Sequence, residues 1–507
     1  MRILTIIVCL AAVGPSAPMG STKYLPTPDA PVGWRGDGSG RYPGATPPTS
    51  WERRKAGNNY ATRNILWASP MPNNGVSTPI IVGPRIFVTC EPSDLVCIDK
   101  ATGRVLWIRS NMACEAVPEV AKTLAPQLAE LAKANAEAVE DLNGALAGAA
   151  TSAPKELNGL RKKREIEKKI TDAQVAADKK VFGTNWAQAV FGFAGQTPTS
   201  DGKRVCAFFT SGVSVGYDLD GNRKWIQRGE GMGSEHGNFA SPLLIGGQLV
   251  VWANEMRGYD VETGKMLWTA AAKASNTYGS LFAVRAGAEL VAGFQSGYFV
   301  RIRDGKRIWG DQAFGDAVST PIVEGGMILA HQGYPIANDQ TKGLKAFKIP
   351  TSEGAKPQPA YAFKAEWAET EIPADKKTPF NRGFVASPLY RDGLVYQLTE
   401  GGGLLVNDAS TGDLIYRKVL PMKPKTEYWN WAGASASPTL AGKQIYLMDN
   451  QGTTIVLQPG RVYKELAINM IEDAEGNGQA QNLATPVFEG TRMYYRNPRL
   501  LFCIAEK

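Results

Sequence analysis

The segment Asp99-Lys-Ala-Thr-Gly-Arg-Val-Leu-Trp107 has the pattern of a β-hairpin turn followed by its return strand. Leu95 to Ile98 alternate like a strand before it, and the Asp, Thr and Gly residues supply turn chemistry. Gly103 can adopt the positive φ that such a turn requires. Trp107 stands at a fixed offset from the turn, where a large amphipathic ring can cover the flank of the next hairpin. The segment therefore predicts one hairpin with a structural tryptophan.

Variants of this segment recur along the chain with similar neighbours on either side. The copies are Tyr217-Asp-Leu-Asp-Gly-Asn-Arg-Lys-Trp225, Tyr259-Asp-Val-Glu-Thr-Gly-Lys-Met-Leu-Trp268, Ile302-Arg-Asp-Gly-Lys-Arg-Ile-Trp309 and the weaker Asn407-Asp-Ala-Ser-Thr-Gly-Asp-Leu-Ile-Tyr416. A Ser/Thr-Pro dipeptide followed by an apolar strand lies upstream of the hairpins. These dipeptides begin at Thr78, Thr197, Ser241, Thr320, Ser387, Ser437 and Thr485. A unit of several short strands repeated at roughly 40 to 50 residues is typical of a propeller blade.

The repeats resemble the pyrroloquinoline quinone (PQQ) repeat family of β-propellers, whose blades carry an Ala-x-Asp-x-x-Thr-Gly-x-x-x-Trp docking motif. The likeness runs from about Trp34 to Lys507 and is interrupted by one insertion. It implies the fold more strongly than the function, because the family includes quinoprotein dehydrogenases as well as cofactor-free scaffolds such as the outer-membrane assembly propeller subunit.

The expected fold is all-β: a propeller of four-stranded antiparallel blades with a helical hairpin inserted. Seven Ser/Thr-Pro dipeptides and the degenerate segment Tyr278-Gly-Ser-Leu-Phe282 predict eight blades, with seven as the alternative. The last repeat stops without a Trp strand, whereas Asn64 to Ala68 is a Trp strand without a hairpin before it. Trp67 is therefore expected to complete the final blade and close the ring.

The expected domains follow from these patterns. They are a signal peptide at 1–20, an extended N-terminal arm at 21–63, the ring-closing strand and first blade at 64–114, the helical hairpin at 115–181 and the remaining blades at 182–507. The signal is predicted from Met1-Arg2, an apolar run and then small residues and prolines, and the run is too short to span a bilayer. The mature protein is therefore expected to be periplasmic or secreted, without a transmembrane segment, and a monomer.

The insertion differs from the repeats because it is rich in Ala, Leu, Glu and Lys. One predicted helical stripe contains Leu124, Leu128, Leu131, Val139, Leu142 and Leu146, and a second contains Leu157, Leu160, Ile166, Ile170 and Ala173. The first half carries an excess of acidic residues and the second an excess of basic ones, which favours an antiparallel hairpin of coiled-coil type packed on its own seam. Such a hairpin should be separable from the propeller.

The formal net charge of +8 is interpreted as solvated surface, because no basic stretch interleaved with aromatic residues marks a nucleic-acid site. Of six cysteines, Cys9 lies in the signal. Cys97 and Cys503 occupy the same repeat position and are expected to be small buried core residues. His236 and His331 are the only histidines, which makes a multi-histidine metal site unlikely on composition, and His236 is the better functional candidate.

The candidate binding site is one mouth of the central channel, because residues just before the Ser/Thr-Pro dipeptides should converge there. The candidate ligand-binding residues are Asn74, His236, Asn238, Asp316, Arg382, Trp431 and Asn482, accompanied by Phe191, Tyr278 and Trp429. This mixed polar and aromatic set suits a small polar ligand or a loop of an envelope protein partner. The structural alternative is that these side chains only satisfy loop backbone around a water-filled channel.

Two functions remain open at this point. The first is a non-catalytic binding or scaffold propeller in the cell envelope, without cofactor or metal, in which Trp67, Trp107, Trp225, Trp268 and Trp309 are structural. The second is a PQQ-dependent dehydrogenase that oxidises an alcohol or sugar with Ca²⁺. The adjacent Cys-Cys pair of many quinoprotein dehydrogenases is absent from the sequence, and no spacing assigns a catalytic residue. The sequence therefore favours the non-catalytic function.

Overall fold

The computed structural model describes residues 17–152, 157–184, 192–229, 239–271, 278–309, 312–315, 317–332, 343–365, 383–422, 433–472 and 483–506. Three short strands of the N-terminal arm come first: β1 (Arg41–Tyr42), β2 (Glu52–Ala56) and β3 (Asn59–Arg63). They are followed by β4 (Ile65–Pro70). The arm is thus not merely extended, since it contributes strands to a sheet.

The remaining strands of the described chain form groups of four, each group being one blade. Blades 1 to 4 are β5 (Ile80–Val82), β6 (Arg85–Cys90), β7 (Asp94–Asp99), β8 (Val105–Ser110); β9 (Thr199–Ser200), β10 (Arg204–Phe208), β11 (Val213–Asp218), β12 (Arg223–Arg228); β13 (Leu243–Ile245), β14 (Gln248–Trp252), β15 (Glu255–Asp260), β16 (Met266–Ala271); and β17 (Phe282–Ala286), β18 (Glu289–Gly293), β19 (Phe299–Arg301), β20 (Arg307–Trp309).

Blades 5 to 8 repeat the arrangement, and the last of them takes its outer strand from the N-terminal part of the chain. They are β21 (Ile322–Glu324), β22 (Met327–His331), β23 (Leu344–Lys348), β24 (Gln358–Ala362); β25 (Leu389–Arg391), β26 (Leu394–Leu398), β27 (Gly403–Asp408), β28 (Leu414–Val419); β29 (Thr439–Ala441), β30 (Gln444–Met448), β31 (Thr453–Leu457), β32 (Glu465–Ile471); and β33 (Val487–Glu489), β34 (Arg492–Arg496), β35 (Leu500–Ile504) with β4. The protein is an eight-bladed β-propeller, as the repeat count predicted.

Ring closure occurs where the sequence placed it. Strand β4 pairs antiparallel with β35, and Cys503 lies opposite Trp67 just as Cys97 lies opposite Trp107 in blade 1. A β-bulge interrupts this outer pair in every blade, immediately before the tryptophan position. In blades 1, 2, 3 and 8 the tryptophan that follows the bulge covers the neighbouring blade. All five cysteines of the described chain are buried and free, including Cys97 and Cys503.

The tryptophans dock on the glycine turns of the next blade. The ring of Trp107 lies over Gly221, whose φ is +84°, and a Cβ there would come within 2.8 Å of the indole. Equivalent contacts join Trp67 to Gly103, Trp225 to Gly264 and Trp268 to Gly305. The indole N–H of Trp225 donates to the carbonyl of Val261, and that of Trp268 to Ile302, both at 2.9 Å. Trp309 instead packs on Phe299 of its own blade, with ring centroids 5.2 Å apart.

The N-terminal arm extends blade 7 at both edges. Strand β1 pairs parallel with the inner strand β29, and β2 pairs parallel with the end of β32 before turning back into β3. Trp51 is 1% exposed and stacks on Tyr446. The arm therefore contributes buried side chains to the propeller.

The insertion folds into α1 (Pro118–Thr123), α2 (Ala125–Ala149), α3 (Asn158–Ala177) and α4 (Lys179–Phe182), after a short 3₁₀ turn at Ala113–Ala116. Helices α2 and α3 pack on each other, as the two stripes predicted. The same stripes also enter the propeller core: Leu142 and Leu160 share a buried cluster with Ile98, and Leu131 and Ile166 share one with Trp107. The expectation that the hairpin packs only on its own seam is wrong, because blades 1 and 8 complete that seam; that the hairpin is separable stays a prediction.

Candidate functional site

A ring of hydroxyl groups surrounds the central channel. Six of the seven Ser/Thr-Pro hydroxyls, together with that of Ser280 in the degenerate repeat, accept a hydrogen bond from the backbone N–H of the equivalent residue in the preceding blade. The seven bonds of this kind are Thr78 to Thr197, Thr197 to Ser241, Ser241 to Ser280, Ser280 to Thr320, Thr320 to Ser387, Ser387 to Ser437 and Thr485 to Thr78, at 2.7–3.3 Å. The Ser/Thr-Pro dipeptide, which recurs once in most repeats, thus links neighbouring blades.

The antiparallel blades give the propeller two distinct faces. One face, which we call the loop face, carries two kinds of connection. The first kind joins one blade to the next, such as 71–79, and the second joins the second and third strands within a blade, such as 91–93. We call the turn face the one that carries the tight turns at 83–84 and 100–104. Of the predicted mouth residues, the described Asn74 and Tyr278 lie on the loop face, since each precedes an inner strand.

The turn face of the channel is filled by the arm. Arg35 is fully buried and donates to the carbonyls of Pro388 and Pro438, at 3.1 and 2.7 Å. On the other side of the channel, Val32 exchanges backbone hydrogen bonds with Ser200 of blade 2. Burial lowers the pKa of the Arg35 guanidinium to about 10, so it stays charged at neutral pH. The Arg35 cation therefore lies inside the channel and contacts carbonyls of two neighbouring blades, 6 and 7.

A buried carboxyl group lies on the loop face between blades 1 and 2. The carboxylate of Glu91 accepts hydrogen bonds from the backbone N–H groups of Phe193 and Ala194, at 2.8–3.0 Å. Burial raises the pKa of Glu91 to about 7, and these bonds oppose the shift. Arg496 of blade 8 is fully buried beside it and donates to Ser77 Oγ and the Thr89 carbonyl, both at 2.7 Å. These charged groups join three blades, which the sequence did not predict.

His331 is buried at the interface of blades 5 and 6. Its Nδ1 lies 2.7 Å from the hydroxyl of Ser319 and its Nε2 lies 3.2 Å from Oε1 of Gln397, while its ring stacks on Phe384. Because the Gln397 oxygen can only accept, Nε2 carries the proton and Nδ1 accepts from Ser319. Burial lowers the pKa of His331 to about 4, so the imidazole is neutral at pH 7. This histidine connects blades and does not reach solvent.

The predicted mouth residues are largely outside the described chain. His236, Asn238, Asp316, Arg382, Trp431 and Asn482 lie outside the described residues, as do Phe191 and Trp429. Tyr278 is described and half-buried, next to the hydroxyl ring. Asn74 is exposed, and its carbonyl accepts from the N–H of Glu91 at 2.9 Å. The structure therefore places Asn74 and Tyr278 on the loop face and leaves the other assignments as predictions.

Asn74 also lines a cleft of about 790 Å³ between the loop face and the helical hairpin. One wall is the segment from Pro70 to Asn74, together with Arg499, and the other is formed by α2 and α3. The sequence did not predict this cleft, because it depends on how the hairpin docks.

Neither a metal cluster nor a membrane span is found among the described residues. No group of three His, Cys, Asp or Glu side chains in these ranges could hold a metal ion. No helix in the described chain is long and apolar enough to cross a bilayer.

Comparison with known proteins gives one family and several distant structures. Residues 169–349 and 253–466 match a family model described as outer membrane protein assembly factor BamB. The crystal structure of BamB from Moraxella catarrhalis is 16% identical and covers 60% of this chain and 92% of that chain, with a TM-score of 0.34. Quinohemoprotein alcohol dehydrogenase from Comamonas testosteroni is 11% identical and covers 87% of this chain and 76% of that chain, with a TM-score of 0.49. No curated protein matches the sequence.

Proposed function

Because the chain belongs to the PQQ-like propeller family of the outer membrane assembly factor BamB, we propose that it is a non-catalytic binding or scaffold protein of the cell envelope. The single observation that carries this proposal is the family match, which runs from residue 169 to residue 466 through most of the blades. The partner is an envelope protein loop or a small polar ligand at the loop face.

The channel supports a binding role on one face. The arm enters the channel from the turn face, where Val32 pairs with Ser200 beside the 201–203 turn, so a ligand would approach through the loop face. Glu91 there already accepts backbone N–H groups, and Asp449 accepts the N–H groups of Gln451 and Thr453 at 2.8–2.9 Å. Carboxylates engaged in this way hold loops in place, which favours a shaped binding surface over a metal-centred reaction.

Site-specific photo-crosslinking in the producing cell tests the proposal. A photoreactive amino acid at Asn238 or Arg382 should yield a discrete crosslinked protein, because both positions precede inner strands at the predicted mouth. Lys265 is the matched control, since it is exposed in a turn of blade 3 on the opposite face, and it should yield no such product. Equal products from all three positions would contradict a loop-face partner site.

A second measurement separates binding from catalysis. The purified protein is titrated with PQQ and Ca²⁺ and assayed for dye-linked oxidation of alcohols and sugars. We expect neither saturable binding nor turnover. Saturable PQQ binding with turnover would replace the proposed function with a quinoprotein dehydrogenase.

A further inference from the structure

The cleft between the helical hairpin and the loop face has charged groups on both walls. Arg164 comes from α3, and Arg499 comes from the turn between the last two strands of the chain. Asp141 is a carboxylate in the same lining, but its Oδ2 accepts the backbone N–H of Gly159 at 2.7 Å and thereby holds the start of α3. Arg164, Arg499 and Asp141 together give the lining a formal charge of +1, two positive groups against one negative, which favours a ligand that carries a carboxylate.

The remaining lining suits a peptide. Asn73 and Asn74 lie on the propeller wall, and an amide side chain offers both donors and acceptors to a peptide backbone. Ala145 and Leu157 are half-buried in the lining and present apolar surface, above the buried Leu142 and Leu160. The cleft volume of about 790 Å³ lies within the range typical of ligand sites, about 300 to 1,000 Å³.

Gly144 gives the cleft its depth at the α2 wall. It lines the cleft, and a Cβ built at this position would meet no heavy atom within 4 Å. Space is therefore open to a ligand directly above the helix backbone.

We propose that this cleft binds a short peptide segment of a partner protein in which an acidic residue stands beside apolar ones. Arg164 and Arg499 bind the carboxylate, the two asparagines bind the peptide backbone, and Ala145 and Leu157 receive the apolar side chains. This site goes beyond the loop-face function, since it depends on the docked hairpin and not on the channel mouth.

A random dodecapeptide display library panned against the full chain tests the proposal. Enriched peptides should combine Asp or Glu with Leu, Ile or Phe, and should bind the purified protein saturably. The variant Gly144→Leu fills the open space and should weaken the binding of these peptides at least tenfold. Arg164→Gln and Arg499→Gln should each weaken acidic peptides but not their Glu→Gln analogues.

The control Gly144→Ala adds only one methyl group and should bind peptides within about twofold of the wild type. Leu and Ala both favour helix over Gly, by up to about 1 kcal/mol for Ala, so neither variant should melt below the wild type. Selected peptides that bind Gly144→Leu unchanged would overturn the proposal, as would a library that yields no binder. If laurate alone bound in the cleft, the ligand would be a small amphiphilic anion and not a peptide. If the chain associated with itself in a way that depended on Gly144, the occupant would be a second copy of the chain. Either result overturns the proposal.

Discussion

Four blades are joined to the next by a pair of residues: a tryptophan on an outer strand and a glycine in the next turn. The indole needs a flat partner that lacks a side chain, and the positive φ of Gly221 provides the turn that exposes it. Where the aromatic residue is a tyrosine the contact changes: Tyr361 of blade 5 donates its hydroxyl to the carbonyl of Ala409. The sequence predicted the docking role of the tryptophans but missed Tyr361, because no Trp marks that strand.

The variant Trp107→Ala should lower the free energy of unfolding by about 3 to 5 kcal/mol, since it removes a ring that is only 7% exposed. Urea denaturation followed by circular dichroism measures this change. The adjacent Leu106→Ala is the matched control, because Leu106 is 45% exposed on the same strand, and it should cost less than about 1 kcal/mol. Equal losses in the two variants would contradict the docking role.

The Ser/Thr-Pro dipeptides have one property that the sequence predicts and one that it does not. Their spacing predicted the number of blades, because a repeat is visible as a period. Their hydroxyl bonds could not be predicted, since each joins residues of different blades, as Thr78 and Thr197 do across 119 positions.

At the scale of elements, the helical hairpin is held to the propeller by buried charge. Lys163 is 1% exposed and lies 2.7 Å from Asp94 of blade 1, and it also pairs with Glu167 one helical turn away. Burial lowers the pKa of Lys163, whereas the two carboxylates raise it. The net shift of this pKa is upward. The hairpin also blunts an exposed strand edge: the Asn143 side chain exchanges hydrogen bonds with the backbone of Val105 in β8, at 2.8 and 3.0 Å.

The variant Lys163→Met should destabilise the protein by about 3 to 5 kcal/mol, because it leaves Asp94 and Glu167 buried without their cation. The neighbouring Lys162→Met removes an exposed pair with Glu137 and should cost at most about 1 kcal/mol. Hydrogen exchange should show α2 and α3 losing protection first in Lys163→Met. Unchanged stability in that variant would mean that the hairpin docks through its apolar residues alone.

Glu167 should make the stability of the protein depend on pH. Burial raises the pKa of Glu167 to about 7, with Asp94 adding to the shift and Lys163 opposing it. The folded state therefore holds a proton that the unfolded state releases, so stability should fall as pH rises from about 4.5 to about 7. Glu167→Gln should flatten this part of the profile in urea titrations at pH 4.5 to 8, whereas the exposed Glu165→Gln should leave it as in the wild type. A wild-type slope in Glu167→Gln would contradict the assignment.

The sequence foresaw the two helical stripes but not the surface they cover. Periodicity reveals that Leu142 and Ile166 face an apolar core, but it does not show whether that core lies within the hairpin or in the propeller. In the sequence, Lys163 is indistinguishable from the neighbouring basic residues that are exposed to solvent. The cleft beside Asn74 was missed for the same reason, since it exists only once hairpin and propeller meet.

At the scale of the whole molecule, the N-terminal part of the chain does two different things. Residues before Asn64 fill one end of the channel through Arg35 and widen blade 7 through β1, β2 and β3. Residues 65–70 form the outer strand of blade 8, opposite β35, whose five residues are all fully buried. The sequence predicted the second role because the last repeat lacks its own outer strand. It missed the first, because nothing in the Gly- and Arg-rich arm indicates that one arginine enters the channel and binds carbonyls of blades 6 and 7.

Ring closure predicts a sharp difference between two truncated chains. A chain that begins at Asn64 keeps β4 and all eight blades and should remain soluble, with one cooperative unfolding transition. A chain that begins at Met71 exposes the edge of β35 and the Tyr494 face on which Trp67 packs, so it should aggregate or lose several kcal/mol, about 3 to 5 of them from the ring of Trp67 alone. Size-exclusion chromatography and urea denaturation measure both properties. A synthetic peptide of residues 64–70 should restore the solubility and stability of the shorter chain by pairing with β35. The same peptide with Trp67→Ala should not restore them. If the shorter chain were as stable as the longer one without any peptide, closure through β4 would contribute nothing to the propeller.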